Sequence, residues 1–410
     1  MKRTILFVLF ALGVLLLAAC APAPTAVPPT AVPATAVPAA ATKAPAPTTA
    51  AATAAPKPAT GEPIKLAIIG AMSGTNAILG EWMKKGVTLA VEEKNKAGGI
   101  QGRQIQLVIY DDEADPTKSV NLAQKVCTDD KVMAAWATTN SSAAIADIPI
   151  FQQYKIPQIT NGTSVDFTKK GSAYAFRATP NSLSYESTLV NFLVKTKGFK
   201  KFAIIQDTSS YGKSESDAQV ATLTELGLKE LARESYGIDD KDYTGQLTKI
   251  LQTQPEVLLL ASSEVAAGLI AKQARQLGFK GQLAGPTAVG TPKFMETAGA
   301  DIAEGAIFTT PFLHNPADAV NDKFVKAYTA RWNEAPDFHG ANTYDGTQLL
   351  FIAMEKANPL TPENVAAEMH KIKGYKGVQG EFNVQENGET ISFMMVGINK
   401  GGKQIAYTGN

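Results

Sequence analysis

The chain has 410 residues, 39 basic against 38 acidic side chains, a formal net charge of +1 and two cysteines. A near-neutral balance without a basic stripe excludes the electrostatic footprint of a nucleic-acid binder. So few cysteines exclude a scaffold stapled by disulfides. At about 150 residues per domain, the length points to two or three domains.

Met1-Lys-Arg opens a positive segment, Ile5 to Leu17 is almost entirely apolar, and Leu17-Ala-Ala-Cys20 closes it with small residues. An apolar run of about thirteen residues is too short to span a bilayer comfortably and reads as a cleaved export signal over residues 1–20. Its ending resembles the lipobox of bacterial lipoproteins, which implies that Cys20 becomes the lipidated first residue of the mature chain. Residues 21–62 then collapse to Ala, Pro, Thr and Val. Alternating prolines prevent helix and ladder formation, so this stretch is expected to be a disordered tether with a fully extended reach of ~130 Å. The second cysteine, Cys127, has no partner for an intramolecular disulfide and no neighbouring His or Cys that suggests reactivity.

From Pro63 onward, strand and helix patterns alternate. Ile64 to Gly70 reads as a buried strand, and Glu81 to Lys96 as a helix stopped at Gly98-Gly99. The spacing then predicts strands at 104–110, 131–136 and 156–160, with helices at 116–129 and 141–154. A second series follows. Strands fall at 174–177, 201–206, 228–235, 256–261, 281–284 and 305–309, and helices at 183–197, 212–226, 243–252, 264–277 and 291–298. Helices at 317–332, 341–357 and 362–371 lead to hairpin-like strands in the tail. Non-alternating apolar strands separated by helices indicate parallel sheets covered on both faces. The expected fold is therefore α/β, two doubly wound Rossmann-like lobes, with ligand held beyond the carboxyl ends of the strands.

Two stretches carry the candidate chemistry: Trp136-Ala-Thr-Thr-Asn-Ser-Ser-Ala144 and Thr160-Asn-Gly-Thr-Ser164. Small hydroxyl residues between a strand and a helix N-terminus offer free N–H groups and the positive helix end, a cradle for a carboxylate or phosphate. The alternative is that Thr139 and Ser141 are only helix caps, as such residues usually are. No catalytic residue, metal or cofactor is expected. There is no Gly-Xaa-Ser-Xaa-Gly elbow and no Cys–His partnership among three histidines. Asp111-Asp112 and Asp129-Asp130 sit at element ends, where solvated carboxylates are routine.

Seven stretches in order resemble the leucine/isoleucine/valine-binding proteins: Ile69 to Gly74, Asn95 to Gly102, Tyr110 to Pro116, Asp207 to Gly212, Ala274 to Gly278, Ala284 to Pro286 and Thr343 to Gly346. The resemblance implies a type I periplasmic-binding fold with a three-strand hinge. It assigns an N-lobe of 63–180 plus 312–392 and a C-lobe of 181–311 plus 393–410. It also implies a lipid-anchored, extracytoplasmic, monomeric component of an ABC importer, with permease and ATPase partners. By position it places the ligand's α-carboxylate on the Thr139 hydroxyl, the backbone around Ala137, and Gly162 and Ser164, with Tyr211 closing from the C-lobe.

The departures concern the other end of the ligand. Leu79 and Ser263 stand where the resemblance expects tyrosines. Thr287 stands where it expects the acid that pairs with an ammonium group, and Ala114 and Thr138 replace a disulfide. A buried ammonium without its carboxylate costs several kcal/mol, more than a thousandfold in affinity. The expectation is therefore a small carboxylate- or amide-bearing ligand, either an amino acid or an aliphatic or aromatic acid or amide without the ammonium group. His339 is a candidate partner for a ligand hydroxyl or second acid, and Trp82 and Trp136 are candidates for an aromatic pocket or for the core. The alternative function is ligand sensing for a separate signalling membrane protein, since a fused output would call for a transmembrane helix beyond Tyr407.

Overall fold

A computed structural model describes residues 61–391 and 393–409. The signal sequence, Cys20 and the tether as far as residue 60 lie outside the described residues.

The first series runs β1 (Ile64–Gly70), α1 (Ala77–Lys96), β2 (Ile105–Asp111), α2 (Pro116–Lys125) with a π-helical continuation at Val126–Asp130, β3 (Ala134–Ala137), α3 (Ser141–Tyr154), β4 (Gln158–Thr160), α4 (Asp166–Lys169) and β5 (Ala175–Arg177). These strands form a five-stranded sheet in the order β2-β1-β3-β4-β5, parallel at every pairing. The second series runs α5 (Ser182–Asn191) with a π-helical turn at Phe192–Thr196, β6 (Phe202–Asp207), α6 (Ser210–Glu225), β7 (Ala232–Tyr236), α7 (Thr244–Gln252), β8 (Val257–Ala261), α8 (Glu264–Gln276) and β9 (Gln282–Gly285). A 3-10 turn at Thr287–Gly290, α9 (Pro292–Ala298), α10 (Ala300–Ala303) and β10 (Ile307–Thr310) complete it.

The chain then returns to the first series with α11 (Ala319–Trp332), α12 (Phe338–Lys356) and α13 (Pro362–Met369). A small three-stranded sheet follows, β11 (Tyr375–Gly377), β12 (Gly380–Val384) and β13 (Thr390–Ile391). Finally β14 (Met395–Lys400) and β15 (Lys403–Ala406) add an antiparallel edge to the second sheet, giving the order β15-β14-β10-β9-β8-β6-β7. This is the α/β architecture of two doubly wound lobes, and the chain passes between them three times.

Strand alternation decides which side chains reach which layer. In β3, Ala134 and Trp136 enter the core under α1 and α12, while Ala135 and Ala137 enter the opposite core with Val126, Cys127 and Phe151. The second sheet is likewise covered on both faces. Trp136 is fully buried and donates from Nε1 to the Thr347 hydroxyl at 2.8 Å, so it is core and not pocket. Cys127 is buried, and desolvation followed by the nearby Asp147 carboxylate pushes its thiol up to about 12, which removes thiolate reactivity.

Among the boundaries that differ from the sequence expectation, three have a clear local reason or consequence. Helix α1 begins at Ala77 rather than Glu81, which lifts Leu79 onto its first turn. Helix α12 begins at Phe338 rather than Ala341 because Asp337 caps it, accepting from the Gly340 N–H at 2.9 Å. The third strand starts late because Lys131 ends the preceding π turn in the left-handed region, at φ 55°. Asp112 is also a correction: it is fully buried, not solvated, and accepts from the Ala114 N–H at 2.9 Å.

Asp147, on α3, lies in the same layer and is fully buried. One oxygen accepts from the Ser119 hydroxyl at 2.7 Å, and the other has no partner among the described residues. Burial pushes this carboxyl up to about 8, against the Ser119 hydrogen bond and with help from the Asp112 charge. A folded-state value above the unfolded one means that the native chain keeps a proton the unfolded chain releases. The stability contribution is whole below about pH 4 and declines until the folded group ionises near pH 8. Comparing thermal unfolding of wild type and Asp147→Asn across this window, the wild type should lose ground by at most ~1.4 kcal/mol per pH unit. The difference should level off above the upper limit.

Candidate functional site

The carboxyl ends of the parallel strands of both sheets face one cleft of about 810 Å3 of atom-free space, counting the open solvent at its mouth. From the first lobe come the loops after β1, β2, β3 and β4 and the starts of α1 and α12. From the second come the end of β6, the segments after β7 and β9, and the N-terminal turns of α5, α6 and α8. This is where open α/β sheets expose helix N-termini and loop backbone together.

The cap alternative at α3 is resolved by the residue between the two candidates. Asn140 is the N-cap: its side chain accepts from the Ala143 N–H at 3.1 Å. Ser141 turns its hydroxyl back to accept from the Ser164 N–H at 3.3 Å, while both Ser141 and Thr139 line the cleft. Among the described residues the half-buried Thr139 hydroxyl has no hydrogen-bond partner. It therefore stands beside the open first turn of a helix, where N–H groups lack intrahelical acceptors.

The preceding Thr138 is held at φ 28°, unusual for a β-branched residue. Three bonds pin it: its N–H donates to the Ile69 carbonyl at 2.7 Å, its carbonyl accepts from the Thr160 hydroxyl at 2.6 Å, and its hydroxyl accepts from the Asn140 N–H at 3.2 Å. Backbone strain at this turn aims Thr139 into the cleft.

The neighbouring loop is clamped from behind. Gly162 lines the cleft, but its N–H already donates to the Thr160 hydroxyl at 3.0 Å. A Cβ on Gly162 would lie 3.0 Å from Ser141 Oγ and 3.3 Å from the Thr139 carbonyl oxygen, so the two loops meet too closely for a side chain. The Arg177 guanidinium is fully buried and donates to the carbonyls of Gly162 and Ser164, the latter at 2.7 Å. Ser164 therefore sits behind the wall, fully buried, with its hydroxyl accepting from the Asp166 N–H at 3.4 Å. Ala137 points into the core, two residues short of the cleft.

The second lobe supplies Tyr211, Ser263, Thr287 and two acidic residues that the sequence alone left unnoticed, Glu215 and Glu264. Burial, followed by the charges of Glu215, Glu264, Asp207 and Glu186, raises the Tyr211 hydroxyl well above its ordinary value, so it remains a neutral group. Thr287 presents no charge and spends its hydroxyl on the Thr309 carbonyl at 2.9 Å. Ser263 is the N-cap of α8 by position, yet makes no side-chain capping bond.

Glu215 is committed to the junction between lobes. Its carboxylate accepts from the Thr163 hydroxyl and from the Ser182 hydroxyl, the latter at 2.9 Å. Its other side faces Glu186, whose carboxyl is raised well above the ordinary range by burial and then by the Glu215 charge. Two neighbouring buried carboxyls disfavour each other's ionisation. Glu264 is different: one oxygen lies 3.2 Å from His339 Nε2, across the cleft. His339 stacks on Trp82 with centroids 5.6 Å apart, and its Nδ1 is 3.0 Å from Asn161 Nδ2. Leu79 and Ile238 contribute apolar surface.

Among the described residues, no group of three or more His, Cys, Asp or Glu side chains is arranged to hold a metal ion, and no helix is long and apolar enough to cross a membrane. Two opposed α/β lobes enclosing polar and apolar walls define a small-molecule binding protein. The chain belongs to the periplasmic binding protein family, whose profile matches residues 63–403.

Its relatives narrow the class. The leucine-, isoleucine-, valine-, threonine- and alanine-binding protein of Pseudomonas aeruginosa is 26% identical over 334 residues, 81% of this chain and 88% of that protein. The crystal structure of the leucine binding protein LivK from Thermotoga maritima is 27% identical with a TM-score of 0.80, covering 84% of this chain and 98% of that one. The isoleucine complex of the branched-chain amino acid transporter substrate binding protein LivJ from Streptococcus pneumoniae is 26% identical with a TM-score of 0.78, over 84% and 98% of the two chains.

Proposed function

We propose that this protein is the extracytoplasmic substrate-binding component of a branched-chain-amino-acid-type ABC importer. It takes a small carboxylate-bearing ligand into the cleft, with the carboxylate at the N-terminus of α3. The observation that carries the proposal is the division of labour at that helix: Asn140 does the capping, which leaves the Thr139 hydroxyl unpartnered at the cleft wall. The positive end of a helix with open N–H groups favours an anion without a formal positive charge. Leu79 and Ile238 suit an aliphatic body on the ligand. The naming of the relatives supports a transport role, with permease and ATPase subunits as partners.

The signal and Cys20 support a lipid anchor on the outer face of the membrane, with the tether giving the binding body its reach. Sheet membership supports lobes of 63–180 plus 312–392 and 181–311 plus 393–410, closing on each other about the three passages of the chain.

Isothermal titration of the mature protein against the twenty amino acids and their deaminated acids tests this reading. At least one carboxylate should bind, and Thr139→Val should weaken it about 10- to 100-fold, as expected for a lost hydrogen bond to a charged group. If Thr139→Val binds as tightly as wild type, the carboxylate is not held there.

A further inference from the structure

The family resemblance implies an acid at position 287, where this chain has Thr287, and that departure suggests a ligand without an ammonium group. The folded cleft supplies an acid elsewhere. Glu264, the first residue of α8, is 4% exposed and lines the cleft on the second lobe. His339, 6% exposed, and Asn161, 3% exposed, line it on the first.

The hydrogen-bond pattern of these three groups fixes their polarity toward a ligand. Asn161 Nδ2 is 3.0 Å from His339 Nδ1, which makes that ring nitrogen the acceptor. The ring proton then lies on Nε2 and points at Glu264, 3.2 Å away. With its amide nitrogen so engaged, Asn161 leaves its amide oxygen without a partner among the described residues. A carboxylate and an amide oxygen are both acceptors. A carboxylate at the cleft wall pairs with a ligand group that carries several hydrogens, and its negative charge favours a positive one. Glu215 suits this role less well: its Oε1 already accepts from Thr163 and Ser182, and burial raises its carboxyl above the ordinary range, which favours the neutral form.

We propose that Glu264, oriented across the cleft by His339 and Asn161, is the specificity-determining group for the far end of the ligand and receives a protonated amine there. This rests on the carboxylate placement proposed above and makes the ligand a zwitterion, read at one end by the α3 N-terminus and at the other by a carboxylate displaced from the 287 position to α8. Because Glu264 and His339 come from different lobes, the amine is engaged only where the lobes meet. Trp82, stacked on the imidazole, holds the ring in the orientation that Glu264 needs.

The test measures affinities of wild type, Glu264→Gln and Thr139→Val for each amino acid that binds and for its deaminated acid, with circular dichroism and thermal unfolding establishing that each variant is folded. Glu264→Gln should lose about 100-fold or more in affinity for the amino acid and little for the deaminated acid, while Thr139→Val should weaken both. Glu264→Asp, which keeps the charge, should recover part of the loss. Equal loss of both ligands in Glu264→Gln would show a structural role and overturn the proposal, as would no loss of either. Wild type that takes deaminated acids and refuses amino acids overturns this inference and leaves the carboxylate placement standing. Wild type that binds no carboxylate at all overturns both.

Discussion

Replacing Arg177 with Met is expected to destabilise the protein by about 3–5 kcal/mol, the range for removing one partner of a buried ion pair. The fully buried guanidinium makes three connections at once. Nε donates to Glu389 at 3.0 Å, and the two terminal nitrogens donate to the Gly162 and Ser164 carbonyls. Glu389 is fastened on its other oxygen by the Thr168 hydroxyl at 2.6 Å, and Phe167 lies 5.4 Å from the guanidinium carbon.

Without the cation, a carboxylate and two carbonyls lose their donors in the interior. Lysine offers a point charge rather than a planar fork, so Arg177→Lys should also be costly. The double variant Arg177→Met with Glu389→Gln should be more stable than the single one, because it removes the stranded charge. Urea unfolding followed by circular dichroism measures all three. Ligand affinity should fall as well, since the Gly162 to Ser164 loop forms the cleft wall. A stability loss below about 1 kcal/mol would show that the loop holds itself without Arg177.

Trp136→Ala is expected to cost about 3–5 kcal/mol through the cavity it leaves. The indole is fully buried between β3 and α12, where a Cβ on Gly346 would lie 2.6 Å from Trp136 Cζ2 and 2.7 Å from the Ala178 Cβ. The absence of a side chain at 346 makes room for the ring, so Gly346→Ala should overpack the same spot at about 1–3 kcal/mol.

Trp136→Phe should be milder than Trp136→Ala. It keeps most of the volume, and the Thr347 hydroxyl that accepts from the indole still donates to the Thr343 carbonyl at 2.6 Å. Titrating ligand into the folded fraction separates core from pocket. All three variants should bind with nearly unchanged affinity. A selective loss of affinity in Trp136→Phe would return this residue to the pocket.

The elements that declare themselves in the sequence are those whose chemistry is local. Ser141 to Tyr154 is a helix at the expected bounds, because its pattern and its left-handed stop at Lys155 lie within a few residues of each other. The place of Thr139 at the cleft wall was legible for the same reason: a strand end, small hydroxyls and a helix start are contiguous. Ser164 misled because its loop looks the same on paper, and the buried Arg177 that draws its carbonyl behind the wall is 13 residues away. The start of α12 was missed through an unread cap at Asp337, and with it the placement of Phe338 and His339 on a first turn facing the cleft.

By itself, the sequence determined the alternation of strand and helix, the two α/β lobes, the family and the hydroxyl-rich loop at α3. Each depends on periodicity or on neighbours in the chain. Only the tertiary structure decided the other side of the cleft. Glu264 and His339 are 75 residues apart, and Glu215 meets Thr163 across 52. No spacing rule links such pairs, because they are joined by the packing of one lobe against the other. Reading the Thr287 position alone removed the acid from the site, and folding the chain put one back.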